Sequence, residues 1–270
     1  MKLTYDISEL IPYINWPYFY FAWQVKDSVE KDRLRKEADV VLAQLDGKYH
    51  VYALFELFEA NADGDDIIVF RGENGEVRGE GIPCLRQQQG NPPYLCLSDF
   101  LRPQSSGIKD RVGLFATSVD IGMETDFDAD PYQKMMVQLL ADRLAEAAVE
   151  RVHEQVRKEY WGYAKDENLT IAEMLVEKFQ GIRPAIGYPS LPDTSLNFVL
   201  NELLNMKQIG IRLTESGAMK PHASVSGLMF AHPQAHYFNL GKIGEDQLLD
   251  YAHRRGVPLE LMRKFLAANL

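Results

Sequence analysis

Apolar positions recur at helical spacing in two long stretches of the chain and crowd into short runs elsewhere. Leu34, Ala38, Val41 and Leu45 fall three or four residues apart, which predicts an amphipathic helix over Val29–Leu45 with Gly47 as its stop. Leu140, Leu144, Ala148, Val152, Val156 and Tyr160 recur every four residues. They predict one long helix that opens at Asp130–Pro131, with Asp at the cap and Pro in the first turn, and runs to about Trp161. Thr170 and Glu173 have capping-box spacing, so a helix is expected from there to Phe179, stopped near Gly181. Further helices are expected over Leu196–Leu204, Asp246–Arg255 and Leu259–Ala268.

Val51–Phe58, Ile67–Phe70, Val112–Val119, Ser224–Phe230 and Tyr237–Leu240 read as strands. Turn chemistry at Asn61–Asp66 and Asn74–Gly75 sets them beside turns rather than between helices. Antiparallel pairing is therefore expected over a doubly wound parallel sheet. The aromatic segment Ile11–Trp23 is broken by Pro12 and Pro17 and is expected to pack extended against a larger body. With no internal repeat, low-complexity stretch or long linker, residues 1–270 read as a single mixed α+β domain.

Composition narrows the functional classes. The net charge of −10 repels phosphate backbones, so nucleic acid is an unfavourable partner. Leu10–Trp23 is too short to span a bilayer, and the N-terminus lacks a basic region followed by an aliphatic stretch, so neither a membrane span nor a signal peptide is expected. Two cysteines, Cys84 and Cys96, in a chain of 270 residues suggest a reduced, cytoplasmic protein.

Common catalytic signatures are missing. The chain has neither GxGxxG behind a strand nor GxxxxGK[ST]. The run Gly72–Gly81 is charged, has no helix behind it and reads as a hairpin, which argues against a Rossmann-type methyltransferase. His232 and His236 are separated by Pro233, Cys84 and Cys96 lack CxxC partners, and Ser224 and Ser226 lack a GxSxG context. No metal site and no hydrolase triad are expected.

The informative segment is Gly181–Pro189, GIRPAIGYP. Its two prolines stiffen the backbone, Gly187 permits close approach of a ligand, and Arg183 offers a planar fork suited to a carboxylate. Tyr188 adds an aromatic face for a base or a cation. The alternative is a stiff connection carrying a surface arginine. Asp142 and Glu146 form an i, i+4 acidic pair on the long helix. Glu177, near the end of the expected helix, opposes the helix dipole, which suits a role in holding an amine or sulfonium. A solvated acidic face is the plainer reading of either carboxylate.

GIRPAIGYP resembles the RPAPGYP signature of the activation domain of cobalamin-dependent methionine synthase, with Ile186 in place of the central proline. Other blocks resembling that family follow in order: YINW at Tyr13–Trp16, GDDI at Gly64–Ile67, LRQQ at Leu85–Gln88, LSDF at Leu97–Phe100 and ADRLAE at Ala141–Glu146. His153–Glu154, YWGYA at Tyr160–Ala164, LTES at Leu213–Ser216, ASVSG at Ala223–Gly227 and His232–Pro233 complete the set. The resemblance implies a C-shaped α+β domain, a twisted antiparallel sheet flanked by helices. It implies a module that binds S-adenosylmethionine and docks on a cobalamin-binding module of methionine synthase. There, an electron from a flavodoxin-type reductase and a methyl group from the sulfonium would restore methylcobalamin from inactive cob(II)alamin.

By the same resemblance, Arg183 would hold the ligand carboxylate and the backbone at Ala185 would read the adenine. Tyr188 and Tyr237 would contact the ligand body, and Glu146 and Glu177 would supply negative charge. Asn15 stands where the family has an Asp that accepts from the ligand ammonium, so weaker binding is expected, since charge-assisted hydrogen bonds are about twice as strong as neutral ones. The chain lacks a zinc-type cysteine cluster and a DxHxxG cobalamin signature. The cobalamin is therefore expected on a partner, and the chain is expected to be an accessory module without turnover of its own. Two alternatives are a docking module that has lost its ligand and a free-standing enzyme using S-adenosylmethionine on another substrate.

Overall fold

A computed structural model describes residues 1–71 and 78–270. The turn expected at Asn74–Gly75 lies outside the described residues, as does most of the hairpin expected at Gly72–Gly81. The chain opens with β1 (Lys2–Asp6), which the hydrophobic pattern did not reveal, and then α1 (Ile7–Leu10) and α2 (Trp16–Ala22). The aromatic segment is thus helical rather than extended. Pro12 lies at the start of the 3-10 turn Ile11–Tyr13 and Pro17 at the start of α2, where a missing N–H costs no helical hydrogen bond.

Next, α3 (Ser28–Leu45) is capped by the Asp27 side chain and buries Leu34, Ala38, Leu42 and Leu45. Then come β2 (His50–Asp63), β3 (Asp66–Arg71), β4 (Arg78–Pro83) and β5 (Asp110–Val119). After α4 (Gly122–Thr125), the long helix α5 (Pro131–Gln155) starts where expected, with Asp130 Oδ1 accepting from the Tyr132 and Gln133 amides. It ends in a π-helical turn, Val156–Tyr160. The remaining elements are α6 (Ile171–Met174), α7 (Leu196–Leu204), β6 (Arg212–Leu213), β7 (Met219–Lys220), β8 (Ser224–Met229), α8 (Glu245–Arg255) and α9 (Leu259–Phe265).

Two further expectations need correction. The Thr170–Glu173 capping box is present, but α6 stops at Met174, because Glu177 adopts a left-handed φ of 60° and the chain turns away. Tyr237–Leu240 joins no ladder. Its groups are used by the neighbouring loop instead: the Tyr237 hydroxyl accepts from Arg183 N, and Leu240 N donates to Pro189 O.

The main sheet has the order β4-β3-β2-β5-β8, with β1 also paired to β2, and every pairing is antiparallel. It is curled into a half-barrel and flanked by helices. β2 is its spine. β1 pairs with its first half, β3 with its second half, and β5 with most of its length along the opposite edge. Alternation along β2 divides the core, because successive side chains point to opposite faces. Val51, Ala53 and Phe55 meet α3 and α5, whereas Leu54, Phe58 and Ala60 meet α7 and the loops around it. A third cluster joins α8 and α9 to Leu85. α5 lies close to the sheet through Ala141, Ala145 and Ala148, and the Thr117 hydroxyl of β5 donates to Ala145 O at 3.0 Å. No described helix is long and apolar enough to cross a membrane.

The outer edge of β8 is occupied by the informative loop. Ile182 exchanges both backbone hydrogen bonds with Phe230, Leu228 N donates to Pro184 O, and Ile186 N donates to Ser226 O. A proline at position 186 would remove the last of these. The close approach requires glycine at position 227, where a Cβ would lie 2.2 Å from Pro184 O and 2.9 Å from Ala185 Cα. Gly227→Ala is expected to push Pro184–Ala185 off the edge and destabilise the fold by about 1–3 kcal/mol, the usual cost of overpacking. Urea unfolding checks this, and an unchanged midpoint would show that the loop adjusts freely.

Candidate functional site

The edge-bound loop and α5 converge on Arg183. Its backbone N–H donates to the Tyr237 hydroxyl at 3.0 Å, and its guanidinium Nη2 donates to Glu150 Oε1. The two side chains are 14% and 12% exposed, so this arginine is not the surface residue of a plain connection. Arg183 Nε and Glu150 Oε2 are both buried without a hydrogen-bond partner. An unmet donor and acceptor in one ion pair are costly, and the cost is relieved when a polar group of a ligand, or a water, supplies the missing bonds.

Three carboxylates surround this one cation. Glu146 and Glu150 project from successive turns of α5, and Glu177 stands at the left-handed turn beyond α6. The charges of all three bear on Arg183. Burial raises the pKa of Glu150; Arg183 opposes that shift, while Glu146 and Glu177 add to it. Burial alone would loosen the Arg183 proton, but Glu150, Tyr237, Glu146 and Glu177 outweigh it and hold the charge. The centre therefore combines one fork for an anion with surplus negative charge for a cation, an arrangement suited to a zwitterionic or sulfonium ligand.

Tyr188 is half exposed and donates through its hydroxyl to Glu146 Oε1 at 2.7 Å. Burial, followed by the charge of Glu146, keeps its phenol protonated. Ala185 is buried and bridges to Gly227, with its carbonyl accepting from Tyr188 N at 3.2 Å. Gly187 has φ +89° and nothing closer than 3.6 Å to an added Cβ, so its requirement is conformational. Six of the seven residues singled out from the sequence (Glu146, Glu177, Arg183, Ala185, Tyr188 and Tyr237) thus belong to one neighbourhood. Asn15 does not join it through any described hydrogen bond. It precedes α2, with its carbonyl accepting from Tyr18 N and its side chain making no cap. Tyr18, on the same helix, lies 5.9 Å from the Arg143 guanidinium, whose charge also reaches Tyr188.

Glu150 escaped the sequence reading, although it extends the Asp142–Glu146 spacing by one more turn. A second missed group lies beneath the loop. Arg157 is fully buried at the π-helical end of α5, forks onto Glu167 at 2.6–3.0 Å and lies 4.4 Å from the Phe179 ring centre. Its Nη1 is 2.9 Å from His153 Nδ1. Arginine only donates, so Nδ1 accepts, and the imidazole proton sits on Nε2, 3.3 Å from the Tyr163 hydroxyl. Burial, reinforced by Arg157 and Arg183, holds the His153 pKa well below its usual value. Phe179 packs edge-on to His153 at 4.8 Å, which fixes the approach to Gly181.

The elements and the charged centre define an α+β domain whose candidate site lies where a sheet-edge loop meets a helix. A family model for the activation domain of vitamin B12-dependent methionine synthase matches residues 6–256. A solved structure described as the MetH reactivation domain bound to AdoHcy is 39% identical, with a TM-score of 0.94, covering 100% of this chain and 90% of that one. The chain belongs to the activation-domain family of B12-dependent methionine synthase.

Two outcomes follow. Glu150→Ala leaves the Arg183 guanidinium buried without its partner and is expected to cost about 3–5 kcal/mol, whereas Glu150→Gln, which keeps an acceptor, should cost clearly less. Equal losses in denaturant unfolding would contradict the ion pair. His153, depressed in the fold, binds its proton more readily when unfolded, so its contribution is complete above about pH 6.5 and is lost as the pH falls below that. Between pH 6 and 5 the wild type should lose up to about 1.4 kcal/mol per pH unit more than a His153→Gln variant. Parallel pH profiles would show that His153 does not carry the effect.

Proposed function

We propose that this chain binds S-adenosylmethionine at the Arg183 centre and presents its methyl group to a cobalamin held by a methionine synthase module. The observation that carries this reading is the Arg183–Glu150 pair, with its unmet Nε and Oε2, inside a chain 39% identical along its whole length to a domain solved with AdoHcy. AdoHcy is what S-adenosylmethionine becomes once its methyl group has left, so a site for one suits the other.

In this reading Arg183 takes the ligand carboxylate, and the ligand lies along Pro184–Tyr188, with the adenine against the backbone at Ala185. Tyr188 and Tyr237 flank it. Glu146 and Glu177 favour the sulfonium over neutral analogues, since each adds attraction only for a cation. The partner's cobalt centre supplies the methyl acceptor, and a flavodoxin-type reductase supplies the electron needed before transfer. Residues of this chain bind and orient the donor; they supply no nucleophile or base. Asn15 lacks the full charge of an aspartate for the ligand ammonium, which lowers affinity without abolishing it. The chain acts as one domain and needs the cobalamin module for turnover.

Calorimetric titration with S-adenosylmethionine tests this. Saturable binding is expected for the wild type, weakened at least about tenfold in Arg183→Ala, the scale set by losing a charged hydrogen bond. An Arg183→Ala/Glu150→Gln double variant avoids leaving a buried carboxylate unpaired, and its melting temperature reports whether the fold survives. A wild-type chain that fails to bind, yet docks on a cobalamin module, would replace this reading with that of a docking module.

A further inference from the structure

A cleft of about 1050 Å³ opens on the sheet face turned away from α5, between the end of β5, the 3-10 helix Met206–Ile209 and the β6–β7 ribbon. Tyr52 on its wall shares a β2 face with Leu54 and Phe58, opposite the face that meets α5. The cleft is thus remote from the carboxylates Glu146 and Glu150.

Its charge runs against that of the chain. In a protein of net charge −10, the lining carries Lys2, Lys207, Arg212 and Lys220 against a single carboxylate, Asp120. Asp120 Oδ1 is engaged by Gly122 N at 2.9 Å, as part of the turn into α4. Among the described residues, none of the four cations forms an ion pair within 4.0 Å. The ribbon register makes this arrangement costly, since Arg212 lies directly across from Lys220. Like charges facing each other on paired strands repel, and an anion between them reverses the sign of the interaction. Beneath the cations the partly exposed Tyr52 and Ile121 give the cleft an apolar patch, backed by the buried Ile209 and Ile211.

We propose that this cleft is a second binding site, for a planar organic molecule bearing at least two negative charges, of the chemical class of a nucleoside diphosphate. The charged end lies between Arg212 and Lys220, within reach of Lys207, and the ring system lies against Tyr52 and Ile121. Cations beside the partly exposed Tyr52 and Ile121 match such a ligand better than they match a bare inorganic anion, which would leave those two side chains uncovered.

Uridine diphosphate is the probe, because it lacks the adenine that the Arg183 centre is proposed to read. Calorimetry at low salt should show saturable binding that weakens as salt rises. Binding should persist in the Arg183→Ala/Glu150→Gln variant and with S-adenosylmethionine at saturation, so failure here and failure of the first site are separable. A Lys207→Glu/Arg212→Glu variant, with both substitutions at exposed positions, should keep the wild-type melting temperature and bind about tenfold or more weakly. Pyrophosphate should bind more weakly than uridine diphosphate. Absence of saturable binding, or equal binding by the charge-reversed variant, would overturn the site. Pyrophosphate binding as tightly as uridine diphosphate would overturn the planar-ligand assignment.

Discussion

The loop Ile182–Ile186 lies against the free edge of β8 with two backbones nearly in van der Waals contact, and the geometry of the charged centre follows from that contact. Four backbone hydrogen bonds hold the segment, and the absence of a side chain at Gly227 lets Pro184 and Ala185 come within reach of them. Gly181 plays the matching part at the other end, where an added Cβ would lie 2.2 Å from Phe230 O. Because the segment is pinned at both ends, the Arg183 side chain leaves the sheet edge in a fixed direction, towards α5. A loop free to drift would not hold a guanidinium against a carboxylate that is itself mostly buried.

α5 is the other half of the arrangement. One face supplies the alanines that bring it close to β5, and the turns that leave the sheet supply Glu146 and Glu150. At its end the π-helical turn carries Arg157 within a buried set of His153, Glu167 and Phe179. Burying a charge is unfavourable unless it is paired and hydrogen-bonded. Arg157 meets that condition fully, through a two-pronged carboxylate and an imidazole. Arg183 meets it only in part. That difference separates an arginine whose bonds are spent on the scaffold from one whose Nε is still unmet.

The sheet also separates charges of opposite sign. On the α5 side the centre carries more carboxylates than cations, whereas the cleft on the other face carries four cations and one carboxylate. Net charge averages over both and describes neither. Solvent and salt screen each surface from the other, so the local field at each face follows its own charges.

Much of this was legible in the sequence, for reasons that differ by element. Helices α3, α5, α7 and α8 follow from apolar spacing, because a helix packed on one side must repeat every three or four residues. The Asp130 cap and the Thr170–Glu173 box are local hydrogen-bond patterns that need no tertiary partner. The motif around Arg183 and its family resemblance pointed to the loop on which the candidate site is built. Other features depended on contacts between distant segments. β1 is short, and its pairing with β2 is what makes it a strand. The aromatic segment becomes helical because its prolines fall at helix starts, which their sequence positions alone do not reveal. Tyr237–Leu240 gives its polar groups to the loop rather than to a ladder. Glu150 is one acidic residue among several on α5 until the loop places Arg183 beside it, and Arg212 opposes Lys220 only once β6 and β7 pair. Local patterns thus determined the elements and the motif, whereas long-range backbone pairing decided which charges meet, because Coulomb interaction depends on distance in space and not along the chain.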